Sequence, residues 1–118
     1  MFQIRIENRH TYNGKGVYVG RPSVLGNTFR IGRDGDRKTV IKKNLRWLRK
    51  KYIQRGAVYR ELHRLAEMAR REDLILICWC APRACHAYLI AYIVRELTRP
   101  KYAMGARIAE YKKRKGLI

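Results

Sequence analysis

The stretch Leu74-Ile75-Leu76-Ile77-Cys78-Trp79 (residues 74–79, LILICW) is apolar and β-favouring throughout, with Glu72-Asp73 before it and Cys80-Ala81-Pro82 after it. A strand with one face in water alternates apolar and polar side chains, whereas a strand covered on both faces does not. The run therefore predicts a central strand. Period-two alternation places Cys78 and Cys80 on one of its faces and Trp79 on the other.

Working outward, Phe2, Ile4 and Ile6 alternate with Gln3, Arg5 and Glu7, the pattern of a half-buried strand. Asn13-Gly14 is a turn signal and Val17-Tyr18-Val19 a second short strand, so residues 1–20 are expected to form a hairpin or two neighbouring strands. The segment from Arg21 to Asp36 contains Pro22, Gly26, Gly32 and Gly35 and is expected to be a long structured loop. Asp36 or Thr39 can cap a helix in which Val40, Ile41, Leu45, Leu48 and Tyr52 recur at helical spacing up to about Gln54. From Ala57, the residues Val58, Leu62, Leu65, Ala66 and Ala69 mark a second amphipathic helix, with Arg60, Arg64, Arg70 and Arg71 on its other face. After Pro82, ACHAYLIAYIVREL is apolar almost all round and predicts a third, largely buried helix ending before Pro100. This order predicts a small single α/β domain over residues 1–98, a short sheet of about three or more strands with three helices. A return to the central strand through two helices favours parallel pairing there. Residues 99–118 are expected to form a basic C-terminal extension.

The 118 residues suffice for one compact domain. Lys and Arg number 28 against nine acidic residues, a formal net charge of +19. Like charges repel in a compact state, so folding does not require this imbalance and a polyanionic partner is its expected reason. DNA or RNA comes first and an acidic protein second. Residues 99–118 carry seven basic residues and one acidic residue, hence +6 of the total, with Lys112, Lys113, Arg114 and Lys115 in a row. No run approaches the roughly 18 apolar residues of a membrane span, and Met1 leads into a strand pattern rather than a signal peptide. Three cysteines within eight residues make a poor disulfide framework. These features predict a soluble, cytoplasmic protein that engages no membrane.

The cysteine turn lies at the carboxyl end of the predicted central strand, where ligands bind in open α/β sheets. Cys85 and His86 fall at the start of the third helix, where free N–H groups and the helix dipole favour negative charge. Three chemistries compete. Cys78, Cys80, Cys85 and His86 are zinc-ligand types in the right number, but they lack paired C-x-x-C spacing and neighbouring Cys85 and His86 diverge by about 100° on a helix. No cofactor is expected, with zinc as the minority reading. Cys80 or Cys85, near Arg83 and the helix start, can carry a lowered pKa and act as a nucleophile, with His86 as general acid or base. The third reading is packing, because free cysteines are among the most buried residues; for Cys78 it is the expected one.

The second candidate segment is Gly20–Phe29, GRPSVLGNTF. Gly20 and Gly26 permit close backbone approach, while Arg21, Ser23 and Asn27 offer donors to a phosphate or carboxylate. No Gly-Lys-Ser/Thr follows, so this is not a P-loop. The alternative is a rigid turn in which Ser23 and Asn27 satisfy local backbone groups. Taken together, VYVGRPSVLGNTFRIG and LICWCAPRACHAYLI resemble domain of unknown function 4326, a family of small phage and bacterial proteins. The resemblance covers about residues 17–97 and rests on Gly20, Arg21, Pro22, Ser23, Gly26, Asn27 and Phe29, and on Cys78, Trp79, Cys80, Pro82, Cys85 and His86. Thr28 replaces the family's usual proline and Ala87 its frequent glycine. The resemblance transfers no activity; it implies that the two motifs belong to one site. That site is expected to hold an anion, a nucleotide or nucleic-acid phosphate, through Gly20, Arg21, Ser23, Gly26, Asn27 and Arg83.

The first functional expectation is therefore nucleic-acid binding, with Arg60, Arg64, Arg70, Arg71 and the Lys112–Lys115 run adding phosphate contacts. Tyr12, Tyr18, Tyr52, Tyr59 and Trp47 lie among these cations and can stack on bases, although at helical spacing such residues more often pack. No sequence-reading motif is present, so specific base readout is not expected. The alternative is an enzyme acting on a nucleotide or related phosphorylated compound through Cys80, Cys85 and His86. A phage-type regulatory protein that docks on an acidic host partner is the third.

Overall fold

The structure, a computed structural model, describes residues 3–83 and 85–99. The chain runs through β1 (Ile4–Asn8), β2 (Val17–Tyr18), α1 (Arg37–Ile53), α2 (Ala57–Arg71), β3 (Leu74–Cys78) and α3 (His86–Thr98). Lys112, Lys113, Arg114 and Lys115 lie outside the described residues.

The apolar run at residues 74–78 is the middle strand. The sheet order is β1-β3-β2, and both pairings are parallel, with Ile4 opposite Leu74, Asn8 opposite Cys78 and Val17 opposite Leu76. Leu74, Leu76 and Cys78 enter a buried cluster with Leu48, Leu62, Leu65, Ile90 and Val94 from the helices. Each fully buried leucine contributes about 1.5–3 kcal/mol relative to an exposed one.

The expected hairpin or neighbouring strands at residues 1–20 do not form, because β3 lies between β1 and β2. The physical reason is that β3, apolar on both faces, gains most from having both of its edges paired. The chain from residue 9 to 16 carries β2 across to the far side of β3, where Gly16 passes so close that a Cβ would stand 2.9 Å from the Ile75 carbonyl oxygen.

Asp36 caps α1 by accepting the Thr39 N–H at 2.8 Å. Tyr52 of α1 meets α2 through its hydroxyl, 2.9 Å from His63 Nε2, and through its ring against Tyr59. These tyrosines thus join the two helices, and Trp47 packs against the core. The expectation that α3 is largely buried requires correction. Its inner face, Ala87, Ile90, Ala91 and Val94, is buried, but Tyr88 and Tyr92 are exposed. A helix packed on one side keeps an outer face, and tyrosine tolerates that position by presenting its hydroxyl to water. No helix among the described residues is long and apolar enough to cross a membrane.

Candidate functional site

The glycine segment leaves β2 as two linked turns, with Ser23 N–H donating to the Gly20 carbonyl at 2.8 Å and Gly26 N–H to the Ser23 carbonyl at 2.9 Å. Close approach explains both glycines. A Cβ on Gly20 would collide with the Tyr18 ring, and one on Gly26 would stand 2.9 Å from Arg21 N and Cα. The Tyr18 hydroxyl folds back to donate to the Arg21 carbonyl at 2.7 Å. Asn27 spends its side chain locally, accepting the Phe29 N–H at 2.9 Å and reaching the Val40 carbonyl at 3.4 Å.

The cysteine turn is held from the neighbouring strand. Asn8, the last residue of β1, donates through Nδ2 to the carbonyls of Trp79 (3.2 Å) and Ala81 (2.7 Å). Both segments turn through a cis X-Pro bond, Arg21-Pro22 and Ala81-Pro82. Within the cysteine turn the Cys85 thiol donates to Cys78 Sγ at 3.4 Å, and the backbone N–H groups of Cys80 and Ala81 also favour a negative charge on that sulfur. Donors stabilise a thiolate, so Cys78 is held well below the ordinary thiol range, chiefly by the Cys85 S–H. Cys85 is pushed up, first because its proton is committed to Cys78 and then by burial. The expectation of a lowered pKa at Cys85 therefore gives way to Cys78, the cysteine first assigned to packing alone. Removing the Cys85 donor with Cys85→Ala, in a Cys80→Ser background, should raise the Cys78 pKa by about one to two pH units, the worth of one charge-assisted hydrogen bond. An ultraviolet thiolate titration that does not move would contradict this arrangement.

His86, the first residue of α3, places Nε2 2.6 Å from the Val19 carbonyl oxygen. A carbonyl only accepts, so Nε2 carries the proton and donates. Burial, followed by the positive charge of Arg21, draws the imidazole below its ordinary pKa, partly offset by the bond to Val19. His86 is thus a neutral ring that ties the start of α3 to the exit of β2. Its Nε2 is committed to Val19, and among the described residues no group of three or more His, Cys, Asp or Glu is gathered as a metal site.

The two motifs meet. Gly20, Arg21, Asn27 and Phe29 on one side, and Cys78, Trp79, Cys80, Cys85 and His86 on the other, line one cavity of about 500 Å³ at the carboxyl end of the sheet. Tyr18, Arg30, Ile31, Arg37, Val40 and Ile41 complete it. Three lining residues are arginines and none is Asp or Glu. Ser23, Gly26 and Arg83 do not line it: Gly26 shapes the loop under Arg21, Ser23 Oγ is buried without a partner, and Arg83 is exposed.

On α2, Arg60, Arg64, Arg70 and Arg71 are all exposed. Arg64 pairs with Glu61, and Arg70 with Glu67 and with the Leu97 carbonyl at 2.9 Å, so two of the four spend charge within the protein. Sequence reasoning missed Asn8, Arg30 and Arg37 as contributors. Arg30 lies just past the glycine motif and Arg37 one residue after the helix cap, so proximity to that motif was the available signal; nothing in the sequence marks Asn8.

The family model described as a domain of unknown function (DUF4326) matches residues 2–96. No curated protein and no solved structure matches the chain.

Proposed function

The chain belongs to the DUF4326 family, and from that premise we propose that it is a nucleic-acid-binding protein that grips a phosphate group in the cavity between its two motifs. One observation carries the reading: the cavity has three arginines and no carboxylate in its lining. It opens at the carboxyl ends of parallel strands beside the start of α3, where backbone N–H groups favour an anion. The net charge of +19 supplies long-range attraction for a polyanion. Free thiols at Cys78, Cys80 and Cys85 fit a reducing compartment such as the cytoplasm.

Replacing Arg21 by Gln should weaken binding of a terminally phosphorylated single-stranded oligonucleotide by about tenfold or more, the effect of one lost charge-assisted contact of about 1.5–3 kcal/mol. Fluorescence anisotropy at fixed salt measures it. Unchanged affinity in a folded variant would remove the proposal.

A second reading, an enzyme acting on a nucleotide or related phosphorylated compound, is favoured by Cys78. Cys78 is among the cavity-lining residues and, although buried, accepts the Cys85 S–H, a bond that favours the thiolate form a nucleophile needs.

A further inference from the structure

Trp79 follows the last residue of β3. Although it follows a buried strand directly, the residue is 50% exposed, and it lines the cavity together with Arg21 and Arg30. Its indole is fixed in place. Nε1 donates to the Tyr18 hydroxyl at 2.8 Å, and that hydroxyl donates to the Arg21 carbonyl at 2.7 Å. His10 stands edge-on to the indole with ring centroids 4.6 Å apart, and Asn8 holds the Trp79 carbonyl. Gly20 leaves the space in which the Tyr18 ring lies. An exposed aromatic surface has thus been made rigid and linked by two hydrogen bonds to the backbone of the cavity arginine.

Building on the phosphate-site reading, we infer that the cavity takes one unpaired nucleotide, its base stacked on the indole of Trp79 and its phosphate held by Arg21 and Arg30. Aromatic faces accept any base, because every base has a π-face, and a pre-fixed platform loses little freedom on binding. The volume of about 500 Å³ is that of a small-molecule pocket. A base paired and stacked in a duplex cannot reach such a surface, whereas the end of a single strand or a free nucleotide can. The ligand class is therefore single-stranded nucleic acid or a mononucleotide, not duplex.

The test uses the full chain carrying Trp47→Phe, so that Trp79 alone reports, with AMP, inorganic phosphate, a 5′-phosphorylated single strand and a blunt unphosphorylated duplex as probes. AMP should quench the Trp79 emission. Trp79→Ala should weaken AMP binding about tenfold by calorimetry while leaving inorganic phosphate unchanged, and Trp79→Phe should recover most of the loss. Equal AMP affinity for the Trp79→Ala and parent proteins would overturn the inference while leaving the phosphate site standing, provided that Arg21→Gln still weakens both ligands. Duplex binding as tight as single-strand binding, and sensitive to Trp79→Ala, would also overturn it. Failure of AMP and inorganic phosphate alike to bind the parent protein would remove the site reading together with the inference.

Discussion

Raising salt from about 50 to 200 mM is expected to weaken single-stranded oligonucleotide binding roughly 50-fold if four phosphates are engaged, and each further contact multiplies that loss by about 2.6. The arithmetic follows from counterion release, with a slope of about 0.7 per phosphate for a single strand. Arg21 and Arg30 at the cavity and the exposed Arg60 and Arg71 on α2 are the four expected to contribute. Arg64 and Arg70 add little, because an arginine already paired with Glu61 or Glu67 must first give up that partner. The positive charge of residues 99–118 adds contacts and steepens the response. Anisotropy titrations across the salt series give the slope directly. A flat response would mean that the surplus charge serves something other than phosphate neutralisation, and it would contradict the nucleic-acid reading.

Gly26→Ala is expected to destabilise the fold by about 1–3 kcal/mol, the usual range for atoms forced into filled space. The cause is local. The new methyl would meet Arg21 N and Cα at 2.9 Å and the Gly20 carbonyl carbon at 3.0 Å. All three are backbone atoms, so no side-chain rotation relieves the contact, and the loop must open. Opening moves Arg21, so the same variant should lose phosphate affinity although residue 26 does not line the cavity. Urea denaturation measures the first effect and calorimetry the second. Gly56→Ser serves as control, because a Cβ there meets nothing within 4 Å and the residue caps α2 without a side-chain bond; it should stay within a few tenths of a kcal/mol. Wild-type stability for Gly26→Ala would show that the loop is soft rather than built around Arg21.

Much of the fold was legible because hydrophobic pattern and position agree. The unbroken apolar run at residues 74–78 can only be satisfied in the middle of a sheet, and the spacing of Leu62, Leu65 and Ala69 allows one buried helix face. Strand order was not legible. Asn13-Gly14 is a hairpin signal within eight residues, and nothing local records that β3, sixty residues later, competes for both partners and wins through its larger apolar surface. The juxtaposition of the two motifs was available from the family resemblance, and the cavity brings them together. The roles inside the site were less legible. Cys78 looks like a packing residue because the groups that polarise it are two backbone N–H groups of the turn and the thiol of Cys85, which no side-chain pattern displays. His86 looks like an acid or base until its Nε2 is found donating to Val19. The apolar appearance of α3 hid its exposed tyrosines, because tyrosine counts as hydrophobic in a pattern yet is stable at a surface.

The central claim is that an anion sits between the two strand-end turns, and backbone-amide chemical shifts during titration with inorganic phosphate test it most directly. Saturable shifts are expected at Gly20, Arg21, Asn27 and Phe29 together with Cys80, Cys85, His86 and Ala87, all following one binding curve. Shifts confined to α2 and the C-terminal residues, with both turns unmoved, would contradict it.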